Sequence, residues 1–359
     1  MKTTCFLIPG RLDKPIGGHK VVYDYANRLA ADGIGVVIAN CVFMPSKSSS
    51  SVELLRKAYA IGRYIGRAVR GKNSCRRWYE LDSRVDEKSV WTFDKRYMPV
   101  ADIYVATAAV TAQFLLDYPV DNDRKVYFIQ GYENWNMTDN ELKKTYRLPF
   151  VKVVISKWLQ ALLENENVES FLVPNGFSTD EYYCTIPVEH KNKYSVSMMY
   201  HTMPLKNCKM AFEALEKVKF VIPELHVNIF GVYERPEYLP DWYSYYQSPD
   251  KKTHLRINNE SAIYVAPSSS EGFGLTIGEA MMCGQAVVCT DAKGYLEMAV
   301  DGENALVSHV NDVDALSDNI IRLILDDDFR ILLAKNGMRD IASFSVENSY
   351  RLFKSALGL

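Results

Sequence analysis

The sequence predicts an α/β protein built from two parallel-sheet domains, and three observations predict it. Short β-branched runs alternate with amphipathic segments, as in stacked strand–helix–strand units. The alternation breaks off in a polar stretch and then begins again. The chain is also long enough for about two cores, at 359 residues of which 48% are hydrophobic and 24% charged.

Taken in order, "TTCFLIP" reads as a buried strand, "GHKVVYDYANRLAADG" as an amphipathic helix and "GVVIANCVF" as the next strand. "DIYVAT", "KVYFIQ", "VKVVIS" and "SFLVPNG" continue the series. The polar "STDEYYCTIPVEHKNK" reads as an interdomain linker. A second series follows: "YSVSMMY", the helical "NCKMAFEALEKVK", "LHVNIFG", "SAIYVAPS" and "QAVVCTD". This gives an N-terminal domain over 1–183, a C-terminal domain over 184–342 and a terminal helix over 343–359 that is expected to return to the N-terminal domain. Beyond the serine-rich "SKSSSS" at 46–51 there is no low-complexity segment and no repeat.

Bulk properties narrow the function. A formal net charge of −2 gives no general attraction to nucleic acid. The first ten residues lack the charge and apolar run of a signal peptide, and no window approaches the roughly 18 apolar residues that span a bilayer. Seven cysteines, an odd number without a Cys-x-x-Cys pair, read as reduced buried thiols of a cytoplasmic protein.

A basic segment at about 52–80 interrupts the first domain. Between Glu53 and Glu80 the cations Arg56, Lys57, Arg63, Arg67, Arg70, Lys72, Arg76 and Arg77 face only two acids. Leu54, Ala58, Ile61, Ile65 and Ala68 or Val69 recur at helical spacing. Two readings follow: a basic amphipathic helix on an anionic membrane surface, or an inserted helix whose apolar stripe packs on its own domain.

The chemistry concentrates in "YVAPSSSEGFGLTIGEAMMCGQAVVCT" (264–290), where Glu271 and Glu279 lie eight positions apart. Gly272 and Gly274 allow a tight turn between a buried strand and a helix, and Gly284 stops that helix. Backbone N–H groups at Phe273, Gly274 and Leu275 then sit at a helix N-terminus, which favours a phosphate. Glu271 before the turn and Glu279 one turn inside are placed to accept hydrogen bonds from hydroxyls. A phosphate site between two hydroxyl acceptors describes a nucleotide sugar. A glycosidase carboxylate pair and a solvated helix face are the competing readings of the two acids.

This stretch resembles the donor signature of the family 4 glycosyltransferases, retaining enzymes of the GT-B fold with two Rossmann-like domains facing each other across a cleft. The resemblance continues through "TDAKGYLEMAVDGENALV" and "VVISKWLQALLE…VPNG". "VYFIQGYENW" and "FGVYERPEYLPDWYSYYQSP" resemble a subgroup that includes rhamnosyltransferases of bacterial surface polysaccharides. The resemblance implies a UDP-, dTDP- or GDP-linked donor, a saccharide or lipid-linked saccharide acceptor, no cofactor, and a place on the inner face of the plasma membrane. "IGGHK" resembles the glycine loop near the donor diphosphate, with Gly17 and Gly18 close to it and a helix starting at His19. In "YHTMPLKN", Lys206 matches the diphosphate-binding lysine, while Tyr200 and His201 stand where the family's arginine is expected. Lys206 and Glu271 are the implied catalytic pair. Gln130, Tyr132 and Glu133 end a strand near the acceptor side, unless "QGYE" is only a turn.

Two sequences match the Asp-x-Asp metal pattern of another glycosyltransferase fold: Asp121–Asp123 and Asp312–Asp314. The first reads as a polar loop and the second as a helix cap, so no metal is expected. The Tyr-rich "EYLPDWYSYYQ" is expected to close a loop over the core or to stack on a base or sugar. A nucleotide-sugar epimerase and a donor-binding subunit without turnover are the other readings of the same donor site.

Overall fold

The computed structural model describes residues 2–10, 13–45, 50–134 and 137–359. Most of the serine-rich run and Trp135 of "QGYENW" therefore lie outside the described residues. The chain divides into two compact units, Met1–Val173 with Tyr350–Leu359, and Pro174–Ser349.

The first unit runs β1 (Thr3–Ile8), α1 (Gly17–Ala31), β2 (Gly35–Cys41), α2 (Ser50–Val69), β3 (Val85–Val90), β4 (Ile103–Ala106), α3 (Ala109–Ala112), β5 (Lys125–Ile129), α4 (Asp139–Tyr146), β6 (Val151–Val154), α5 (Lys157–Glu164) and β7 (Phe171–Leu172). Its seven strands are all parallel, in the order β3-β2-β1-β4-β5-β6-β7. Strands β4 and β5 are buried along their whole length, as expected where helices cover both faces of a parallel sheet. Helix α1 begins at Gly17 rather than His19, so both glycines belong to its first turn.

The second unit runs β8 (Ser195–Met199), α6 (Cys208–Val221), β9 (His226–Gly231), β10 (Tyr243–Gln247), α7 (Lys251–Glu260), β11 (Ile263–Ala266), α8 (Leu275–Met282), β12 (Ala286–Thr290), β13 (Ala305–Ser308), α9 (Val313–Leu325), α10 (Asp327–Ile341) and α11 (Val346–Ala356). Its six parallel strands order as β10-β9-β8-β11-β12-β13. Each sheet thus has the doubly wound order, with its topological switch between the first and fourth strands, β1/β4 and β8/β11.

Residues 178–193 differ from the linker reading, because they are built into the second unit. Asn259 Oδ1 accepts from Thr185 N at 2.6 Å, and its amide donates to the Tyr183 carbonyl at 3.0 Å. Lys191 is buried, with Nζ 2.6 Å from the Asn259 carbonyl. The chain leaves the second unit inside α11. Beyond Tyr350, Phe353 stacks on Tyr25 at 4.2 Å and touches Phe6 and Phe128, while Tyr350 donates to Asp32 at 2.7 Å. The Tyr-rich stretch also departs from expectation: its last five residues are the edge strand β10, paired in parallel with β9.

Candidate functional site

The site of the second unit grows from its switch point. The chain after β8 carries Tyr200, His201 and, in a single 3-10 turn, Lys206; the chain after β11 carries Ser268 and Glu271. Because β8 and β11 are neighbours, these two loops meet. Ser269 N donates to the Leu205 carbonyl at 2.8 Å and stitches them together. Lys206 Nζ then reaches Glu271 Oε1 at 2.7 Å, an ion pair whose side chains are largely buried. Ser268 Oγ and Tyr295 OH donate to the same oxygen at 2.7 and 3.2 Å. Tyr295 is buried, and its single hydroxyl proton is shared between that oxygen and Ser268 Oγ, 2.9 Å away.

The turn that follows is shaped by packing on both sides. Gly274 has φ +97°, in the left-handed region, and caps α8. A Cβ at Gly274 would lie 2.4 Å from the Tyr295 ring, and one at Gly294 would lie 2.5 Å from the Glu271 carbonyl. The backbone from Glu271 to Gly274 is therefore clasped against 294–295. Phe273 is buried and stacks on Phe177 with centroids 6.4 Å apart. Ile277 N returns to the Gly274 carbonyl, so the N–H groups of the first turn of α8 precede its hydrogen-bond ladder.

Glu279 is buried in α8 and hydrogen-bonded by Tyr182, whose hydroxyl is held well above its ordinary range by burial and by that carboxylate. Tyr182 OH also lies 3.4 Å from His254 Nδ1, and the His254 ring packs on Phe230 at 4.3 Å. Burial lowers the His254 pKa to about 4. Tyr182, His254, Ser268 and Tyr295 are site residues that sequence reasoning missed. Tyr182, His254 and Tyr295 have partners distant in the chain, whereas Ser268 lies three residues before its partner Glu271 in the same loop.

His201 does not supply the charge of the absent arginine. Its Nδ1 accepts from Met203 N at 2.9 Å, so the neutral ring carries its proton on Nε2, 3.3 Å from Tyr233 OH. Burial first, and then the Lys206 ammonium, lower its pKa. Tyr200 is a packing residue, its ring against Phe212 and Tyr245. Among the described residues, Lys206 is the cation paired with Glu271.

In the first unit, Gln130 packs on the first turn of α1, and a Cβ at Gly18 would lie 3.1 Å from its Oε1. His19 is lowered to about 4 by burial, against the favourable Pro9 carbonyl. Glu133 is buried rather than open to a ligand: its Oε2 accepts from Ala109 N at 2.5 Å at the start of α3, and burial raises its pKa to about 7. Tyr132, half-buried, is hydrogen-bonded to Asp139. Of the Asp-x-Asp acids, Asp312 caps α9 by accepting from Ala315 N at 2.9 Å, and Asp314 pairs with Lys217.

One pH effect follows within the second unit. His254 has a folded pKa of about 4 against about 6.5 unfolded, so its contribution is intact above 6.5 and is lost as pH falls through 4. The loss amounts to about 3 kcal/mol. His254→Phe should flatten the acid limb of a melting-temperature profile between pH 6.5 and 4. An unchanged limb contradicts the assignment.

Residues 187–340 match the family model described as glycosyl transferases group 1. The O-antigen chain mannosyltransferase B of Escherichia coli is 42% identical over 85 residues, which is 24% of this chain and 22% of that protein. The chain thus spans less than a quarter of the length of this curated relative. The sucrose-phosphate synthase of Thermosynechococcus elongatus superposes with a TM-score of 0.74 at 15% identity, covering 99% of this chain and 98% of the other. HepE of Anabaena, solved with UDP and glucose, superposes with a TM-score of 0.71 at 15% identity over 100% of both chains. The fold is therefore GT-B, with two Rossmann-like units, and the segment that holds Lys206, Glu271 and Glu279 is similar to the glycosyl transferases group 1.

Proposed function

We propose that the protein is a retaining glycosyltransferase that moves a sugar from a nucleotide-sugar donor to a growing surface polysaccharide or glycolipid. The observation that carries this reading is the Lys206–Glu271 pair, placed at a switch point and directly before the N-terminus of α8. The relative that builds an O-antigen chain and the GT-B neighbour solved with UDP support the acceptor and donor classes.

The chemistry follows from the donors and acceptors. An ammonium has three N–H groups, and one of those on Lys206 is used by Glu271, which leaves two for diphosphate oxygens. Among the described residues the three side-chain donors to Glu271 go to Oε1, so Oε2 is the oxygen left for a sugar hydroxyl. The helix start at Gly274 adds backbone N–H groups to the diphosphate, and Glu279 takes the ribose hydroxyls with Tyr182 holding its carboxylate. A nucleoside diphosphate is a good leaving group. The site has to orient the sugar and stabilise charge on the departing phosphate, which can itself take the acceptor proton. The cation in this scheme is Lys206, and transfer is metal-independent.

A thermal-shift and calorimetric screen over UDP, GDP, dTDP and their sugars tests this reading, since a ligand of the folded state raises its midpoint. One nucleotide class should bind with a raised midpoint. Glu279→Gln should weaken that nucleotide about tenfold while its own melting temperature stays near wild type. Equal nucleotide affinity in the variant counts against the ribose role of Glu279.

A further inference from the structure

Helix α2 presents the reverse of ordinary amphipathic packing. At about 100° per residue, Leu54, Leu55, Ala58, Ile61, Ile65, Ala68 and Val69 fall within an arc of about 140°. This arc faces outward: Leu55 is 73% exposed and Val69 84%. The reading in which the apolar stripe packs on its own domain is therefore corrected. The helix docks on the first unit by its polar side instead. Arg67 Nη2 lies 3.0 Å from Asp13 Oδ1 and 2.7 Å from the Lys72 carbonyl, with both ion-pair side chains mostly buried. Arg56 bonds Glu53 at 3.0 Å, Arg56 and Lys57 lie over the Phe43 ring, and Ala60 is buried.

The cations sort accordingly. Arg56 and Arg67 serve the docking face, and Arg76 donates to the carbonyls of Leu81, Asp82 and Val85. Arg63 and Arg70 are exposed and border one edge of the apolar arc, while Lys57 borders the other. An apolar strip bordered on both sides by cations is complementary to one surface in particular: acyl chains below and anionic headgroups at the same depth as the ammonium and guanidinium groups. A second copy of the chain fits less well, since pairing two such strips brings like charges together.

We propose that α2 is an in-plane anchor that inserts Leu54, Ile61, Ile65 and Val69 into an anionic phospholipid leaflet, with Arg63 and Arg70 on the headgroups. This binding is independent of the donor chemistry. The sequence-level picture in which all eight cations face lipid gives way to one in which apolar insertion leads and the bordering arginines confer preference for negative lipid.

The experiment uses the full chain and vesicles of phosphatidylcholine with or without phosphatidylglycerol. Wild type should co-sediment with phosphatidylglycerol vesicles, less so as salt rises, and bind poorly to phosphatidylcholine alone. Ile61→Glu with Ile65→Glu should abolish binding at every salt concentration. Arg63→Glu with Arg70→Glu should weaken binding about tenfold or more and remove its salt dependence. Both pairs are exposed, so melting temperatures should match wild type. An environment-sensitive dye on Ile65→Cys should shift to the blue on vesicle addition, whereas one on Arg63→Cys should shift less. Vesicle binding unchanged by the Ile61/Ile65 substitutions overturns the proposal, as does no binding by wild type. A lipid-free dimer that the same substitutions dissociate also overturns it, in favour of a second copy as occupant.

Discussion

Gly274→Ala should lower the stability of the second unit by about 2–5 kcal/mol and disorganise the proposed donor site in the same step. The left-handed φ of +97° alone costs a β-carbon about 1–2 kcal/mol. The rest comes from overpacking, typically about 1–3 kcal/mol, because the new methyl would sit 2.4 Å from Cδ1 and 2.8 Å from Cε1 of Tyr295. That ring cannot retreat freely. It is buried and its hydroxyl is tied to Ser268 and Glu271, so relief of the clash pulls on the carboxylate proposed to orient the sugar. A drop in melting temperature of roughly 5–15 °C is expected, with nucleotide affinity reduced in the folded protein. A variant that melts with wild type would mean that the turn accommodates a methyl group and that the clasp around it is loose.

Lys206→Ala should act chiefly on transfer, with a lesser effect on stability. The ammonium is a fixed positive charge beside Glu271, and His201 is held neutral by burial and by Lys206 itself. Removing a preorganised group that stabilises developing charge costs about 10²–10³-fold in turnover. Glu271 keeps its Ser268 and Tyr295 donors but loses a partly buried counter-charge, so stability should fall by about 1–3 kcal/mol. Steady-state kinetics should show kcat/KM down by two to three orders of magnitude, with partial recovery in Lys206→Arg. A variant with near wild-type turnover would remove Lys206 from the account.

The central strands were legible in the sequence because parallel sheets bury them on both faces, which leaves continuous apolar runs such as "CFLI" in β1 and "IYVA" in β4 and β11. Those that escaped, β3, β10 and β13, lie at sheet edges. Strand β3, "VDEKSV", carries exposed charges of the kind that protect an edge from further pairing, and such charges hide it from a hydrophobic pattern. The turn chemistry at Gly274 and the cap at Asp312 could be read because they depend on neighbours in sequence. The Tyr182–Glu279 and Tyr295–Glu271 contacts could not, since each depends on which loops the sheet order brings together. Glu133 shows the same limit from the other side. Its position after β5 suggested an open acceptor contact, yet the nearby start of α3 takes its carboxylate. Helix α2 had a readable stripe, but the salt bridge to Asp13 that decides which face turns inward is 54 residues away in sequence.

The most direct test is a transfer assay with labelled UDP-, GDP- and dTDP-sugars, run with and without saccharide or lipid-linked saccharide acceptors and in excess EDTA. The account predicts labelled acceptor and an equal amount of released nucleoside diphosphate, only when acceptor is present, unaffected by EDTA and lost in Lys206→Ala. Conversion of the donor sugar to an epimer without acceptor, tight nucleotide binding without any turnover, or activity that EDTA abolishes and manganese restores would contradict it.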